Sequence, residues 1–454
     1  MPSRSRRALL RTLGAAVPLL SAGCISSDSP SDEAETPSDS SAEAPETATE
    51  SPPTATETTT GTEPTTNTPA GTQTASDQSL DCGLAARPSF AWPQPERTAS
   101  GDGFLGDGPR FETPPATTWT VRPTAPADKS EYDPVFRQPV LADGRLYVVK
   151  ELTFGPNQEA SGYHVLQERD AESGGEQWSY ELSTRPTAPA VDGETVFVGA
   201  GKTVSAIDRQ TGTDRWTRTF ESYVQSVVPT ADGCYVELDE SVAVVASDGT
   251  PRWSATFDAS VTTRPTLASG QLYVGTVDGS LHAVGPDGTR LWTETTLRDG
   301  YENDDAPSVE TLVATDCGVY ATTDGDIYAF DSDGTFVWHA GEAYWGLATD
   351  GERLYGGTGQ GHVRALDAAT GEQRWEQFFG SENHRMVDGI YDSPVVTDAT
   401  VYAFARPETL IALDSTNGTE RWTATRRVSD LAATEQRLYG SRRTDGELVA
   451  LGAE

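Results

Sequence analysis

Residues 206–216 read Ala206-Ile207-Asp208-Arg209-Gln210-Thr211-Gly212-Thr213-Asp214-Arg215-Trp216, and this stretch decides the fold of the 454-residue chain. The same pattern returns at 365–375, and it returns at 412–422 with Asn417 in place of the threonine. Each copy joins a short apolar run to a Thr-Gly or Asn-Gly pair, which supplies the positive φ of a tight hairpin, and then to a tryptophan. The pattern indicates a repeat unit of short antiparallel strands.

Tryptophans mark successive copies of this unit. From Trp178 to Trp422 they lie 37 to 47 residues apart, within the range expected of β-propeller blades. Each unit contains four short runs rich in Val, Leu, Tyr and Thr, which we assign to strands a, b, c and d of one antiparallel sheet. A tryptophan on strand d can lock its blade against the next one through its large apolar area. The residues expected in this structural role are Trp119, Trp178, Trp216, Trp253, Trp292, Trp338, Trp375 and Trp422.

The two ends of the repeat region determine the number of blades. The last unit, residues 431–451, ends without a tryptophan, whereas residues 117–121 form an unmatched strand with Trp119 before the first full unit. We therefore predict an all-β, eight-bladed propeller in which 117–121 supplies strand d of the last blade. This closure leaves no open sheet edge. A seven-bladed ring with a loose terminal segment is the alternative.

The repeats resemble the pyrroloquinoline-quinone (PQQ) repeat family, specifically its eight-bladed propellers, from about residue 130 to residue 454. Residues 92–101 also resemble the lead-in that exported members carry. The resemblance implies two different functions. Quinoprotein dehydrogenases of this fold hold PQQ against a tryptophan and a vicinal disulfide, beside a Ca²⁺ bound by Glu, Asn and Asp. A bacterial propeller lipoprotein of the same fold instead scaffolds outer-membrane assembly without catalysis.

The first 24 residues are predicted to be an export and anchoring signal. Arg6 and Arg7 precede the apolar stretch 13–20, which is too short to span a bilayer, since a span needs about 20 residues. The arginine pair resembles a twin-arginine signal, and residues 20–24 resemble a lipobox that ends at Cys24. We expect lipidation at Cys24 and a place on the outer face of the cytoplasmic membrane. A plain secretory signal with an incidental cysteine is the alternative.

Residues 25–80 consist almost wholly of Ser, Thr, Pro, Ala, Glu and Asp, without lysine or arginine. Such a segment cannot bury enough apolar surface to offset its ordering entropy, so we expect a solvated stalk, either glycosylated or unmodified. The predicted organisation is therefore a signal at 1–24, a disordered linker at 25–80, a lead-in at 81–116 and the propeller at 117–454.

The charge of the chain excludes one class of partner and suggests a habitat. Its 69 acidic residues against 33 basic ones give a net charge of −36, and a double-stranded nucleic-acid binder needs the opposite balance. The only lysines are Lys129, Lys150 and Lys202. Acid excess with so little lysine resembles proteins of salt-loving organisms, although an ordinary acidic protein is the alternative.

The position of the long connections predicts a binding face. In a four-stranded blade, the a–b and c–d turns share one face and the b–c and d–a connections share the other. The long insertions at 150–162, 294–306, 376–392 and 441–446 all belong to the second face, and variable loops on a rigid scaffold commonly bind partners. The candidate residues are Tyr301, Glu302, Asp304, Asp305, Tyr344, Trp345, Phe378, Phe379, His384, Arg385, Asp388, Tyr391, Arg406, Arg442 and Arg443.

No catalytic site can be assigned from the residues. The chain has no adjacent cysteine pair, and no Glu, Asn and Asp set matches the quinoprotein pattern. Its five histidines are scattered through different blades, and Asp331-Ser332-Asp333-Gly334 lacks the distal glutamate of a Ca²⁺ loop, so we predict no metal site. We expect no cofactor, unless the protein is a quinoprotein, in which case it would hold PQQ with calcium.

Three cysteines follow the predicted signal. Cys234 and Cys317 open strand b of the third and fifth blades and are too far apart to pair with each other. Cys82 can pair with either of them in an exported protein, and one thiol remains free. Asn417-Gly418-Thr419 matches an N-glycosylation sequon but also serves as a repeat turn.

The sequence favours a lipid-anchored, non-catalytic scaffold outside the cell that binds a protein or envelope component through its loop-rich face. A membrane-anchored, PQQ-dependent alcohol or sugar dehydrogenase is the main alternative. Carbohydrate binding by the aromatic loops is a third.

Overall fold

The computed structural model describes residues 103–453 except 131, 153–161, 296, 298–306, 324, 342–343, 381–388, 407 and 443–444. The described residues form eight four-stranded antiparallel sheets. Each sheet is one blade, as the spacing of the tryptophans predicts. Apart from these strands, the described residues include a 3₁₀ turn at Ala127–Lys129.

Seven blades take their four strands consecutively from the chain. Blade 1 contains β2 Pro134–Ala142, β3 Arg145–Leu152, β4 His164–Asp170 and β5 Glu176–Leu182, and blade 2 contains β6 Ala190–Asp192, β7 Thr195–Ala200, β8 Thr203–Asp208 and β9 Asp214–Thr219. Blade 3 contains β10 Ser226–Thr230, β11 Gly233–Glu237, β12 Ser241–Ala246 and β13 Pro251–Thr256, and blade 4 contains β14 Thr266–Ala268, β15 Gln271–Gly275, β16 Leu281–Val284 and β17 Arg290–Glu294. Blade 5 contains β18 Val309–Thr315, β19 Gly318–Thr323, β20 Asp326–Asp331 and β21 Phe336–Ala340. Blade 6 contains β22 Tyr344–Thr349, β23 Arg353–Thr358, β24 His362–Asp367 and β25 Gln373–Phe378. Blade 7 contains β26 Val395–Val396, β27 Thr400–Ala405, β28 Thr409–Asp414 and β29 Glu420–Thr425.

The eighth blade joins the two ends of the ring. Its strands are β30 Val428–Ala433, β31 Arg437–Arg442 and β32 Leu448–Gly452, and its outer strand is β1, Ala116–Val121. Strand β1 pairs antiparallel with β32, so that Thr120 lies opposite Val449. The predicted eight blades and the predicted closure by the N-terminal strand are therefore confirmed.

The repeated turn motif has a local physical explanation in the second blade. Asp208 accepts hydrogen bonds through Oδ1 from the backbone N–H groups of Gln210 and Thr211, and through Oδ2 from Arg215. These bonds, the one from Arg215 first, hold the pKa of Asp208 below its usual range. Gly212 follows at a φ of +68°, where a Cβ would lie 2.7 Å from Cδ2 of Trp178 in the first blade. Only glycine fits both the backbone and this contact.

Each strand-d tryptophan links its blade to the next one. Its ring packs against an aromatic side chain on strand b of its own blade, as Tyr355 does with Trp375 at 6.0 Å between centroids. Its indole Nε1 donates a hydrogen bond to a backbone carbonyl on the other side of the interface with the next blade. The bonds run from Trp119 to Ala171 (3.1 Å), Trp178 to Arg209 (3.0 Å), Trp216 to Ser247 (2.8 Å), Trp253 to Pro286 (2.8 Å), Trp292 to Ser332 (3.0 Å), Trp338 to Ala368 (3.1 Å), Trp375 to Ser415 (3.1 Å) and Trp422 to Phe111 (2.8 Å). The blades are thus held by burial and by directional bonds together.

Two cysteines lie within the described residues, and they differ in state. Cys317 is in a disulfide, whereas Cys234 is a buried free thiol. The partner of Cys317 therefore lies outside the described residues, as Cys82 itself does. A disulfide from Cys82 remains a prediction. Of its two predicted partners, Cys234 is a free thiol, so Cys317 is the one that remains.

The predicted signal, the lipidation site Cys24 and the linker 25–80 also lie outside the described residues. Within the part of the chain that is described, no helix has the length and apolar character needed to cross a bilayer.

Candidate binding face

The two ends of the strands form two faces of different construction. The turn face carries the a–b and c–d connections, which are short in every described blade. The loop face carries the b–c and d–a connections, including the long ones between β3 and β4, β17 and β18, β25 and β26, and β31 and β32. These are the places at which the sequence predicts insertions. First strands of neighbouring blades approach one another, so strand a lies at the centre of the ring.

Exposed apolar side chains concentrate on the loop face. Among the described residues four large apolar side chains are exposed, and three of them lie there: Tyr223 at 62%, Val277 at 45% and Phe378 at 43%. The fourth, Leu291 at 50%, lies on the outer strand of the fourth blade. A contiguous apolar patch is the usual mark of an interaction site, whereas these three side chains lie in or beside connections of different blades and share only the face. The exposed side chains therefore favour the same face as the loop lengths.

A cluster of three predicted candidates lies on the loop face where the sixth and seventh blades meet. The rings of Trp345 and Tyr391 are 5.5 Å apart between centroids, with their planes at 64°. The guanidinium carbon of Arg406 lies 4.7 Å from the centroid of the Tyr391 ring, within the range of a cation–π contact. Trp, Tyr and Arg are the residue types most enriched at interface hot spots. We call Trp345, Tyr391 and Arg406 the aromatic cluster.

Glycine allows the aromatic cluster to form. A Cβ on Gly359 would lie 3.0 Å from Nε1 of Trp345 and 3.7 Å from the Tyr391 ring. The b–c connection of the sixth blade can therefore approach the indole closely only because residue 359 has no side chain. Sequence reasoning did not single out Gly359, since it lies one residue after strand β23 in a short turn.

The remaining described aromatic candidates occupy different environments. Tyr344 is 2% exposed and belongs to the core between the fifth and sixth blades, where Arg364 lies over its ring. Phe379 is partly buried against the core of the sixth and seventh blades. Phe378 remains exposed and packs its ring 4.8 Å from that of His362. Of these three, Phe378 is the one that presents surface to a partner.

Arg442 is held in place by acidic neighbours. Its Nη1 bonds to the carboxylate of Glu447, which is buried and also accepts a bond from Nε of Arg122. Asp445 lies 3.4 Å from the same Nη1. The other eight candidates, Tyr301, Glu302, Asp304, Asp305, His384, Arg385, Asp388 and Arg443, lie outside the described residues, so their role remains a prediction.

Structure adds two arginines to the loop face that the sequence did not identify. Arg426 and Arg427 lie in the two-residue connection between the seventh and eighth blades. With Arg442 and Asp445 they line a cavity of 330 Å³. Sequence reasoning missed this pair because it follows directly after strand d, where it resembles a polar strand end. Only ring closure brings it near Arg442.

A buried ionic cluster lies at the loop end of the first blade. Glu151, 6% exposed, accepts a bond from Arg137, and its other oxygen lies 3.7 Å from Arg185 and 3.9 Å from His164. Burial lowers the pKa of His164, with Glu151 opposing this effect. Each charged group of the cluster has an opposite charge within 4 Å, so we interpret it as structural.

The described residues do not match the quinone site implied by the resemblance. They contain one asparagine, Asn417, and it lies in a c–d turn on the turn face. The ring of Trp345 already contacts Tyr391, and no pair of adjacent cysteines exists in the chain. Within the described ranges, no three His, Cys, Asp or Glu side chains lie close enough together to hold a metal ion. No step of catalysis can therefore be derived through PQQ and calcium.

Comparison with known proteins establishes the family. A family profile described as outer membrane protein assembly factor BamB, of the PQQ-repeat type, matches residues 116–222, 200–340 and 323–453. The chain belongs to the PQQ-repeat β-propeller family. The comparison with curated proteins found no match.

Three solved structures have a fold similar to that of this chain. BamB from Moraxella catarrhalis is 17% identical, with a TM-score of 0.56, and the match covers 74% of this chain and 99% of that one. Quinohemoprotein alcohol dehydrogenase from Comamonas testosteroni is 13% identical, with a TM-score of 0.59 and 81% of each chain covered. The computationally designed protein Ika8 is 15% identical, with a TM-score of 0.56, and the match covers 71% of this chain and 97% of that one. At these identities the likeness concerns the fold alone.

Proposed function

We propose that this PQQ-repeat propeller is a non-catalytic binding protein that holds a protein or envelope component against its loop face. The observation that carries the proposal is the concentration of exposed apolar and aromatic side chains on that face. Tyr223, Val277 and Phe378 are exposed there, and the aromatic cluster lies on the same side. Tryptophan, tyrosine and arginine, the residue types of the aromatic cluster, are the ones most enriched at interaction hot spots.

The composition of the opposite face supports this choice. Turn-face aspartates such as Asp208, Asp367 and Asp414 accept hydrogen bonds from their own turns. Their bonding capacity is used to hold the hairpins in shape. The turn face therefore stabilises the hairpins of the fold, and we assign partner binding to the loop face.

The proposal places the propeller outside the cell on an acidic tether. The twin-arginine pair and the lipobox ending at Cys24 support export and lipid anchoring, and the stretch 25–80 supports a solvated stalk. The low lysine content supports a high-salt environment. A tethered scaffold with one apolar face can collect a partner at the membrane surface by raising its effective concentration.

Partner recovery from solubilised membranes tests the proposal. We expect Phe378→Asp to reduce recovery of partners about tenfold or more, because it places a charge in the exposed apolar surface of the loop face. Leu291→Asp is the matched control, since Leu291 is as exposed but lies on the outer strand of the fourth blade. Equal recovery with both variants would contradict a role for the loop face.

Reconstitution tests the enzyme alternative in the same preparation. The purified protein is incubated with PQQ and Ca²⁺, and quinone absorbance and alcohol- or sugar-dependent dye reduction are followed. Our proposal expects neither saturable uptake nor turnover. Saturable uptake with turnover would replace the scaffold by a quinoprotein dehydrogenase.

A further inference from the structure

The cavity between the seventh and eighth blades has a distinct chemical character. Its volume is 330 Å³, at the lower end of small-ligand sites. Val449 and Leu451, both buried, form part of its lining, and Arg426, Arg427 and Arg442 add three guanidinium groups. The cavity therefore combines an apolar floor with a cationic rim.

Two of the cavities formed by the described residues differ in the charge of their linings. The cavity of 580 Å³ on the turn face, between the eighth and first blades, is lined by four carboxylates and two arginines. The cavity near Arg426 is lined by three arginines and one carboxylate, Asp445. Although the chain has a net charge of −36, the described lining of this cavity contains more arginines than carboxylates. An anion approaching the protein would be favoured at this one of the two cavities.

Arg426 is the residue that makes the cavity a candidate site. Its Nη1 and Nη2 donate to the backbone carbonyls of Thr425 at 3.1 Å and Pro115 at 3.2 Å. Its Nε is buried and meets no hydrogen-bond acceptor among the described residues. An unmet donor on a charged, partly buried group is costly, and rotation of the Arg426 guanidinium towards an anionic ligand would remove the cost.

The two neighbouring arginines are already compensated. Arg427 is paired with Glu408, and Arg442 is paired with Glu447 and Asp445. Within the described ranges, Arg426 is the one arginine of this cavity without a carboxylate partner. The pairs hold Arg427 and Arg442 in position, while Arg426 retains a free charge for a ligand.

We propose that this cavity binds a carboxylate carried on an apolar group, supplied by a partner polypeptide. Arg426 pairs with the carboxylate, and the apolar group lies against Val449 and Leu451. The identification of a polypeptide rests on the proposed scaffold function, because the cavity opens on the loop face. Its small volume suits one or two side chains rather than the acyl chains of a lipid.

Binding of short peptides to the full chain tests the site directly. The probes are dansyl-Gly-Gly-Leu with a free C-terminal carboxylate, the same peptide as its C-terminal amide, and a dansyl-Glu-Leu amide that carries an internal carboxylate, because the dansyl label itself has no carboxylate. Fluorescence anisotropy is recorded at one fixed salt concentration, because exposed charges are screened by salt. We expect the amide to bind at least tenfold more weakly than the free acid. Retained binding of the Glu-Leu amide would identify a side-chain carboxylate as sufficient.

Two substitutions change the affinity in opposite directions. Arg426→Gln should weaken binding of the free acid about tenfold, whereas Asp445→Asn should strengthen it severalfold by removing the competing carboxylate. Arg215→Gln is the matched control, since Arg215 lies on strand d of the second blade and pairs only with its own turn. If Arg426→Gln does not fold, the gain with Asp445→Asn still decides the matter.

Four outcomes would overturn the inference. Equal affinity for the acid and the amide would show that the ligand needs no carboxylate. An unchanged affinity in both variants would show that the peptide does not bind in this cavity. Binding of octanoate without binding of any peptide would replace the polypeptide by a lipid. Peptide binding with unchanged partner recovery in Phe378→Asp would retain the cavity and reject the loop-face scaffold. Loss of partner recovery in Phe378→Asp, without any peptide binding to the parent protein, would retain the loop-face scaffold and reject the cavity.

Discussion

The indole Nε1 of Trp422 donates a 2.8 Å hydrogen bond to the backbone carbonyl oxygen of Phe111, a residue 311 positions earlier in the chain. In the other blades the equivalent tryptophan bonds to the c–d turn of the next blade. The eighth blade has no such turn, because its strand c ends at Gly452 and its strand d begins at Ala116. The segment before β1 therefore replaces the missing turn, and Tyr402 strengthens this junction by donating to the carbonyl of Pro109 at 2.6 Å.

Trp422→Phe should destabilise the ring more than the same substitution elsewhere. Trp422 is 5% exposed, so removal of its N–H leaves the buried carbonyl of Phe111 without a donor, at a cost of about 1–3 kcal/mol. Trp216→Phe is the control, because its bond to Ser247 is exposed and water can replace it. Denaturant unfolding at fixed salt measures both. Equal losses would show that the closing bond has no special weight.

Gly371→Ala should cost more than backbone strain alone. Gly371 has a φ of +74°, and a Cβ there would lie 2.6 Å from Cε3 of the buried Trp338. Gly193→Ala, at a φ of +51° with no atom within 4 Å of the added carbon, isolates the backbone contribution of about 1–2 kcal/mol. We expect Gly371→Ala to lose about 1–3 kcal/mol more, through overpacking. Equal free energies of unfolding for the two variants would contradict the packing explanation.

His282 should make the fold sensitive to mild acid. Burial, aided by Arg290 and opposed by Asp278 and Asp258, lowers the pKa of His282 to about 4. The unfolded chain binds the proton near pH 6.5, so stability is full above that pH and falls as the pH falls from 6.5 towards 4. The loss at pH 5 is about 2 kcal/mol for this group.

The His282→Gln variant checks this sign. Its free energy of unfolding should depend less on pH between 6.5 and 4 than that of the parent protein. Thr293→Val removes the 2.9 Å hydrogen-bond partner of Nδ1 but leaves the histidine, so it should lower stability and keep the pH dependence. An unchanged slope in His282→Gln would assign the acid sensitivity to other groups.

Short-range chemistry explains why the fold was predictable. Asp208, Gly212 and Trp216 lie within nine residues, and each performs a task that its side chain dictates: capping a turn, adopting a positive φ, and covering the next blade. The number of copies of that pattern predicted the number of blades, and the unmatched Trp119 indicated the strand that closes the ring. The replacement of the missing turn by Phe111 was not predictable, since no motif marks residues 103–115.

The candidate site was only partly predictable, because its contacts join blades that are distant in sequence. Loop position alone selected Trp345, Tyr391 and Arg406, but their stacking depends on the approach of two blades. Strand alternation explains why Tyr344 is buried although Trp345 beside it is not. Arg426 was missed for the reverse reason, since its sequence neighbours belong to strand d and its cavity forms only with the eighth blade.

Cys234 and Cys317 should differ in their response to alkylation. Cys234 is 1% exposed, and burial raises its pKa to about 12, so iodoacetamide should not react with it in the native protein. After denaturation without reductant, Cys234 should be alkylated and Cys317 should not, because Cys317 is in a disulfide. Peptide mapping reads both sites and identifies the partner, for which Cys82 is our prediction. Alkylation of Cys317 before reduction would contradict the disulfide.

Low salt should destabilise the propeller. After removal of the predicted signal and stalk, the remaining body carries 58 acids against 29 bases, and their repulsion is unscreened when the Debye length exceeds about 10 Å, below roughly 0.1 M salt. We expect the thermal midpoint to rise by several degrees from 50 mM to molar potassium chloride. Potassium sulfate at matched ionic strength below about 0.3 M provides the control, since screening alone predicts equal midpoints there. A midpoint that is unchanged with salt, or that follows the anion rather than the ionic strength, would show that charge repulsion does not limit the stability of this acidic ring.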